Sequence, residues 1–551
     1  MNMYKRIIII CCFLSLSNLS GQNLKKESGL TPLKNEAVFI KVWGFLKYYH
    51  PNVASGKYNW DEQFLTQLPL IQKAKNKEEI AAVYLNWIKG LGEVKKKNIP
   101  KVKDESAYFT KNMDLLWLED ETYFGMAVTE KLKWIRDNRY QGKPFYVKKD
   151  RTGNVLMINE IEYQKESYPD SAMRILSLSR FWNTVEYFFP YKYQTDQNWD
   201  DVLLEMTGKF VSAKNEQEYH LAMLETAVKT DDGHAVFKTH STVNFFGPFF
   251  FPAEIKIVEG KAIITNLPND SLAKVNDLKV GDIIEKVNGE DVSAIIDNKL
   301  KYLSGSNING KLRPTYMYLA NGTEKTVAIV LSRNLNRLHK SISRYPYDSI
   351  YNKEIEKVKY KVVEDNIGYI NMAHLEIKDV DQMMEQFQNL KGLIIDIRNY
   401  PNFLPYVLAG RLVKENKEFA TIMKPDFSYP GRFQYQKMGE ISPMKKYFKG
   451  KAVLLVDENT QSMAEFSTMI LQTGDHVTTV GSQTAGADGN ASYISFLKER
   501  SMLTGTGVFY PNGSETQRRG VRLDVEVKPT MKGIQAGEDE VLLKAIELIK
   551  N

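Results

Sequence analysis

Val453-Leu454-Leu455-Val456-Asp457-Glu458-Asn459-Thr460-Gln461-Ser462-Met463-Ala464-Glu465 is the stretch on which the rest of this chain is organised. Val453 to Val456 form an unbroken branched apolar run, which suits a strand buried on both faces. Asp457 to Gln461 break the run, and Met463 to Gln472 have helical character. A strand, a turn and a helix start place Ser462 beside free backbone N–H groups and the positive end of a helix dipole, where a negative oxygen is stabilised. Ser462 and Glu465 also match a helix capping box. Both readings of the serine stand at this level.

Working outward, the segment from Asn366 alternates strand and helix. A strand at Ile367 to Met372 is followed by a helix to about Leu390, a strand at Leu393 to Ile397, a helix through Val413, and then the quoted stretch. Such alternation predicts an α/β core with crossovers and largely parallel strands over residues 366–551. Upstream, the basic, tyrosine-rich residues 336–365 read as a linker. Residues 245–335 read as many short strands with few helices. Within them, Leu278-Lys279-Val280-Gly281-Asp282-Ile283-Ile284-Glu285-Lys286-Val287-Asn288-Gly289 resembles the PDZ signature, in which a Gly-Asp turn enters a strand and an Asn-Gly turn leaves it.

Further upstream the chain repeats itself. Trp43 aligns with Trp182 and Asn59-Trp60-Asp61 with Asn198-Trp199-Asp200, both at an offset of 139 (182 − 43 and 199 − 60). Each copy predicts a helix with an aromatic stripe, a Pro stop, a second helix begun by Trp-Asp, and a third ending in a turn. The boundaries are 22–168 for the first repeat with its connector and 169–240 for the second. The connector contains a predicted hairpin around Arg151 to Asn154. The copies differ at their ends, where Gly92-Glu93-Val94-Lys95 faces Asp231-Asp232-Gly233-His234. His50 is matched by Phe189, so packing explains it. His234 follows a Gly in a tight turn, where an imidazole can be held into a cleft.

The composition, 43% hydrophobic and 26% charged, is that of a globular protein. Residues 1–21, with Lys5 and Arg6 before the apolar run Ile7 to Leu16, read as a secretory signal peptide. Export follows, to the periplasm, the cell surface or the medium. Both cysteines, Cys11 and Cys12, lie in that run, so a processed chain has no thiol chemistry and no disulfide. Loss of Lys5 and Arg6 takes the formal charge from +7 to +5, too small over this length to point to nucleic acid. No later run is long enough to span a bilayer, and neither an HExxH motif nor a ligand cluster suggests a metal or other cofactor.

Three further segments carry a family resemblance. Gly392-Leu393-Ile394-Ile395-Asp396-Ile397-Arg398-Asn399, the Thr460 to Glu465 turn, and Tyr510-Pro511-Asn512-Gly513 with Gln517 to Val527 together resemble the C-terminal processing, or tail-specific, serine peptidases and their tricorn-like branch. The resemblance extends over roughly residues 170–551. Together with the duplicated helical N-terminal module read from the repeat, it implies a multidomain α/β protein with a PDZ-like domain and a crotonase/ClpP-like catalytic core. The implied activity is that of a serine endopeptidase, a hydrolase acting on proteins or peptides, engaged through a free C-terminus, by way of an acyl-enzyme.

The resemblance makes Ser462 the nucleophile. The lysine base of the processing branch would fall at position 487, which is Ala487. The tricorn-like branch uses an upstream histidine, and His234 matches it as general base and then acid. That branch has a serine before the histidine and a glutamate before the final strands, where this chain has Gly233 and Gln517. Gln517, Glu515 and Asp232 are therefore all candidates to orient the imidazole. The implied oxyanion donors are the backbone N–H groups of Met463 and of Asn402, the latter in Tyr400-Pro401-Asn402-Phe403, where the family's two glycines are absent. A rival reading is a peptide-binding protein that kept the fold and lost turnover.

Overall fold

A computed structural model describes residues 31–99, 102–164, 167–351 and 357–551. The leader expected at residues 1–21 lies outside the described residues. Among the described residues no helix is long and apolar enough to cross a membrane.

The repeat is visible helix by helix. Helices α1 (Pro32–Tyr49), α2 (Trp60–Lys73) and α3 (Lys77–Gly90) recur as α4 (Ser171–Phe188), α5 (Trp199–Ser212) and α6 (Glu216–Val228). The same chemistry starts them. Asn76 caps the N–H of Glu79 at 2.9 Å, and Asn215 caps that of Glu218 at 2.9 Å. In each copy two tryptophans exchange indole bonds with each other's carbonyls, Trp43 with Trp60 and Trp182 with Trp199.

The two copies pack on one another through equivalent positions. Lys41 of the first pairs with Asp200 of the second at 2.6 Å, and Arg180 of the second pairs with Asp61 of the first. Both are 139 apart (180 − 41 and 200 − 61), so each Trp-Asp aspartate answers the other copy's cation. Gly44 meets its own counterpart Asn183, whose Nδ2 donates to the Ile40 carbonyl at 3.0 Å. A Cβ at Gly44 would lie 1.7 Å from Asn183 Oδ1, so this helix crossing requires glycine.

Next comes an antiparallel sheet of β1 (Glu254–Val258), β2 (Lys261–Asn266), β3 (Ile283–Val287), β4 (Thr326–Arg333) and β5 (Asn336–Ser343), in that order. The Gly-Asp and Asn-Gly turns bound β3 as expected, with Asn288 and Gly289 both at positive φ. The linker expected at residues 336–365 is corrected here. Residues 336–343 pair with β4 over their whole length, and Tyr360–Val363 is a core strand. Short helices between β3 and β4, among them Val292–Lys299, also exceed the few expected.

The core sheet runs β6 (Tyr360–Val363), β7 (Ile367–Asn371), β8 (Gly392–Asp396), β9 (Lys451–Val456), β10 (Val477–Gly481) and a final strand at Val525–Glu526. From β7 onward the pairing is parallel. Val453 and Leu455 face the C-terminal helix Glu540–Lys550, whereas Leu454 and Val456 face α7 (Ile377–Phe387) and α8 (Met463–Leu471). Burial on both faces is why β9 has no polar alternation.

A hairpin of Ala491–Ser495 and Arg500–Thr504 leaves the core and joins the helical repeats. Phe496 at its tip stacks on Phe181 of α4 with ring centroids 4.4 Å apart, and the two belong to one apolar cluster. Ser501 bridges to Phe237, past the end of α6 in the last residues of the second repeat. The hairpin therefore ties the exit of α6 to the core.

Candidate active site

Ser462 closes the turn between β9 and α8 with φ +56° and ψ −118°, a region that non-glycine residues seldom occupy. The surrounding hydrogen bonds hold it there. Its N–H is shared between the Ala487 carbonyl at 3.1 Å and Glu465 Oε2 at 3.2 Å. Glu465 is fully buried and also accepts from Thr484 Oγ1 at 2.5 Å and from the N–H groups of Gly486 at 2.8 Å and Ala487 at 2.9 Å. Burial raises the pKa of this carboxyl, and the four donors oppose the rise. Glu465 is thus more than half of a capping box: it ties the 484–487 loop to the start of α8.

The turn is anchored on its other sides too. Thr460 Oγ1 donates to the Ile397 carbonyl at 2.9 Å. Lys256 of β1 reaches Glu458 at 2.6 Å and Asp457 at 3.6 Å. Burial and the neighbouring Glu458 push Asp457 up to about 6, against the pull of Lys256.

The turn carrying His234 lies directly against this one. Gln461 Nε2, one residue before Ser462, donates to the Gly233 carbonyl, one residue before His234, at 3.0 Å. A Cβ on Gly233 would lie 2.7 Å from the Cβ of Ala487. Ala487, at the position of the processing branch's lysine, therefore packs against the His234 turn, and a serine before the histidine, as in the tricorn-like branch, would collide with it. His234 is 7% exposed. Burial lowers its pKa, the Asp232 carboxylate opposes this, and Arg313 adds to it. The imidazole is accordingly neutral near pH 7.

The fold separates the three candidates for orienting His234. Glu515 is taken by Tyr193 Oη at 2.5 Å and Gln194 Nε2 at 2.6 Å, both in the second repeat. Gln517 donates to Ser306 Oγ at 3.3 Å, the same oxygen that accepts from Gly233 N–H at 2.8 Å. Asp232 is the one beside the ring, with Oδ1 3.8 Å from His234 Nδ1. The direct partner of Nδ1 is a fourth residue, Thr504, whose Oγ1 lies 2.8 Å away.

The oxyanion expectation needs one correction. The Asn402 N–H donates to the Met372 carbonyl at 3.1 Å, and the Asn402 side chain donates to the Leu375 carbonyl at 2.8 Å, so Asn402 braces the turn after β7. Met463 N–H, at the first position of α8, forms no hydrogen bond among the described residues. Nor do three or more His, Cys, Asp or Glu side chains gather where they could hold a metal, among the described residues.

Residues 366–527 match the model of peptidase family S41. This is a peptidase family S41 domain. The S41 domain spans the core strands from β7 to Val525–Glu526 and contains the Ser462 turn, and the match indicates a serine peptidase, a hydrolase acting on protein or peptide substrates. Two solved structures share the wider fold: mature CPAF complexed with lactacystin, at 12% identity and a TM-score of 0.54, and mature CPAF, at 13% and 0.53. Each alignment covers 69% of this chain, with 97% and 98% of the respective structure. No curated protein sequence matches this chain.

His234 and Asp232 lie outside the S41 match and Thr504 inside it, 270 positions from His234. No local motif marks Thr504, since Leu503-Thr504-Gly505 is an ordinary strand end. The available signal was indirect: a turn with a buried histidine needs a partner for its second nitrogen.

Proposed function

We propose that this protein is an exported serine endopeptidase that cleaves peptide bonds through an acyl-enzyme on Ser462, with His234 as general base. The observation that carries the reading is the Gln461 to Gly233 hydrogen bond, which joins the two turns one residue from each reacting group. The positive φ of Ser462 and the lowered pKa of His234 support it.

In the proposed cycle Ser462 Oγ attacks the scissile carbonyl carbon while His234 Nε2 takes the hydroxyl proton. Met463 N–H and the start of α8 stabilise the tetrahedral oxyanion. His234 returns its proton to the leaving amine nitrogen as the C–N bond breaks. It then takes a proton from a water whose oxygen attacks the ester carbonyl, and returns that proton to Ser462 Oγ as the C–O bond breaks and the acid leaves. The architecture is read as tricorn-like, with β1 to β5 forming a PDZ-like module and the core a crotonase/ClpP-like unit. A cleft of about 290 Å³ beside edge strand β1, lined by Lys256, Arg313, Glu458 and Lys528, supports recognition of a substrate's C-terminal carboxylate.

A second reading is a peptide-binding protein without turnover. The specific observation in its favour is the engagement of the Asn402 N–H, which removes one oxyanion donor and, at about 2.7–4 kcal/mol per donor, slows acyl transfer. Labelling with a fluorophosphonate separates the two. The peptidase reading expects labelling of the wild type that is absent in Ser462→Ala and strongly reduced in His234→Ala. A folded wild-type protein that takes no label establishes the binder.

A further inference from the structure

We propose that the imidazole of His234 is positioned by a Thr504–Asp232 relay, in which a hydroxyl stands between the histidine and the carboxylate that polarises it. The proposal rests on the reading of Ser462 and His234 as nucleophile and base.

Directionality follows from the donors. Asp232 is fully buried, with Oδ2 accepting from the Thr504 N–H at 2.6 Å and Oδ1 from the His234 N–H at 3.1 Å. Backbone N–H groups cannot reverse, so the carboxyl is the acceptor at both oxygens. The Thr504 hydroxyl therefore donates to Asp232 Oδ1, at 2.8 Å. With its hydrogen committed, Thr504 Oγ1 offers a lone pair to His234 Nδ1, also at 2.8 Å. The proton of the neutral imidazole is then on Nδ1, and Nε2 is left free as the base. A direct Asp–His contact would fix the same tautomer, but here the carboxylate is 3.8 Å from the ring nitrogen.

The relay is rigid. Thr504 is 1% exposed and ends the strand Arg500–Thr504, and its β-branched side chain has restricted χ1 freedom. The strand is held along the histidine turn, with Met502 N–H donating to the Val236 carbonyl at 3.3 Å and Ser501 Oγ to the same carbonyl at 3.2 Å. The charges acting on the ring are Asp232, which stabilises an imidazolium, and Arg313, which opposes one. Neither Asp232 nor Thr504 touches substrate in this scheme, so both are positioning residues.

The test uses the full chain, with hydrolysis of fluorescein-labelled casein and fluorophosphonate labelling read as functions of pH. Thr504→Val keeps the shape of the side chain and removes the hydroxyl. We expect it to lower kcat about 10²- to 10⁴-fold with KM little changed, the scale of a wrong-tautomer histidine. Thr504→Ser restores activity to within about tenfold of wild type. Asp232→Asn also lowers kcat and moves the acid limb of the profile to lower pH, because the charge favouring the imidazolium is gone. Nitrogen-15 NMR of the histidines locates the proton on His234 Nδ1 in the wild type and reports whether each variant is folded. Wild-type kcat in a folded Thr504→Val protein, or a His234 proton on Nε2, overturns the relay. A distinct result sinks the underlying reading: full activity in His234→Ala removes the histidine as base, whatever Thr504 does.

Discussion

The two helical repeats have the same fold and different consequences. Their helices begin at the same offset, their paired tryptophans exchange the same bonds, and each supplies an aspartate to the other's cation. They part at the last turn, where Glu93-Val94-Lys95 in the first copy corresponds to Asp232-Gly233-His234 in the second. Lys95 is exposed, whereas His234 is packed between the core hairpin and the Ser462 turn. A duplicated scaffold thus supplies one copy for support and one whose exit is free to enter a site.

The largest test of that contrast is to remove both end residues. His234→Ala is expected to reduce kcat/KM by about 10⁴-fold or more, and Lys95→Ala to leave it unchanged, in casein hydrolysis. A comparable loss from Lys95→Ala would break the division of roles.

The reciprocal ion pairs come next, because their burial differs. Asp61 and Arg180 are 6% and 3% exposed at their side chains, whereas Asp200 is 41% exposed. Asp61→Ala takes one of two acids from a buried guanidinium, leaving Glu160 at 3.2 Å, and should cost about 1.5–3 kcal/mol in denaturant unfolding. Asp200→Ala should cost under about 1 kcal/mol. Equal losses would mean that the pseudo-symmetry extends to energetics.

A third contrast is His50 against Phe189. Both are buried, and burial holds the His50 pKa down at about 4. Because that value lies below the unfolded value of about 6.5, the neutral ring's contribution is complete above that pH and is lost as pH falls toward 4. Up to about 3 kcal/mol of stability should disappear over this window, and unfolding curves for His50→Phe should lack that component.

The smallest effect is expected at position 233. Gly233→Ala forces a Cβ against Ala487, displacing the histidine turn, and should lower kcat about 10- to 100-fold. Its counterpart change, Val94→Ala, should alter stability but not turnover.

Much of the architecture was legible because local pattern carries it. The Trp-Asp helix starts, the branched run of β9 and the Asn-Gly turn after β3 are each decided by neighbours in the chain. Strand β5 was hidden: at the edge of its sheet it exposes Asn336, Arg337, His339 and Ser341, so no apolar run announced it and residues 336–365 read as a linker. The pairing strands Thr421–Pro425 and Phe433–Lys437 were likewise too short to show a period. In the site, Ser462, His234 and Asp232 were nominated from sequence, while Thr504 was not and Asn402 proved to be bonded elsewhere.

By itself, then, the sequence determined two copies of one helical unit, an α/β core and a serine presented at the end of a doubly buried strand. These follow from side-chain period, caps and turn residues, which act over a few positions. Only the tertiary structure decided that the second copy's exit turn meets the Ser462 turn, that Glu515 and Gln517 face other partners, and that Thr504 stands between His234 and Asp232. Those outcomes depend on hydrogen bonds between positions hundreds of residues apart, and what sets them is how the hairpin packs on α4, which no local pattern encodes.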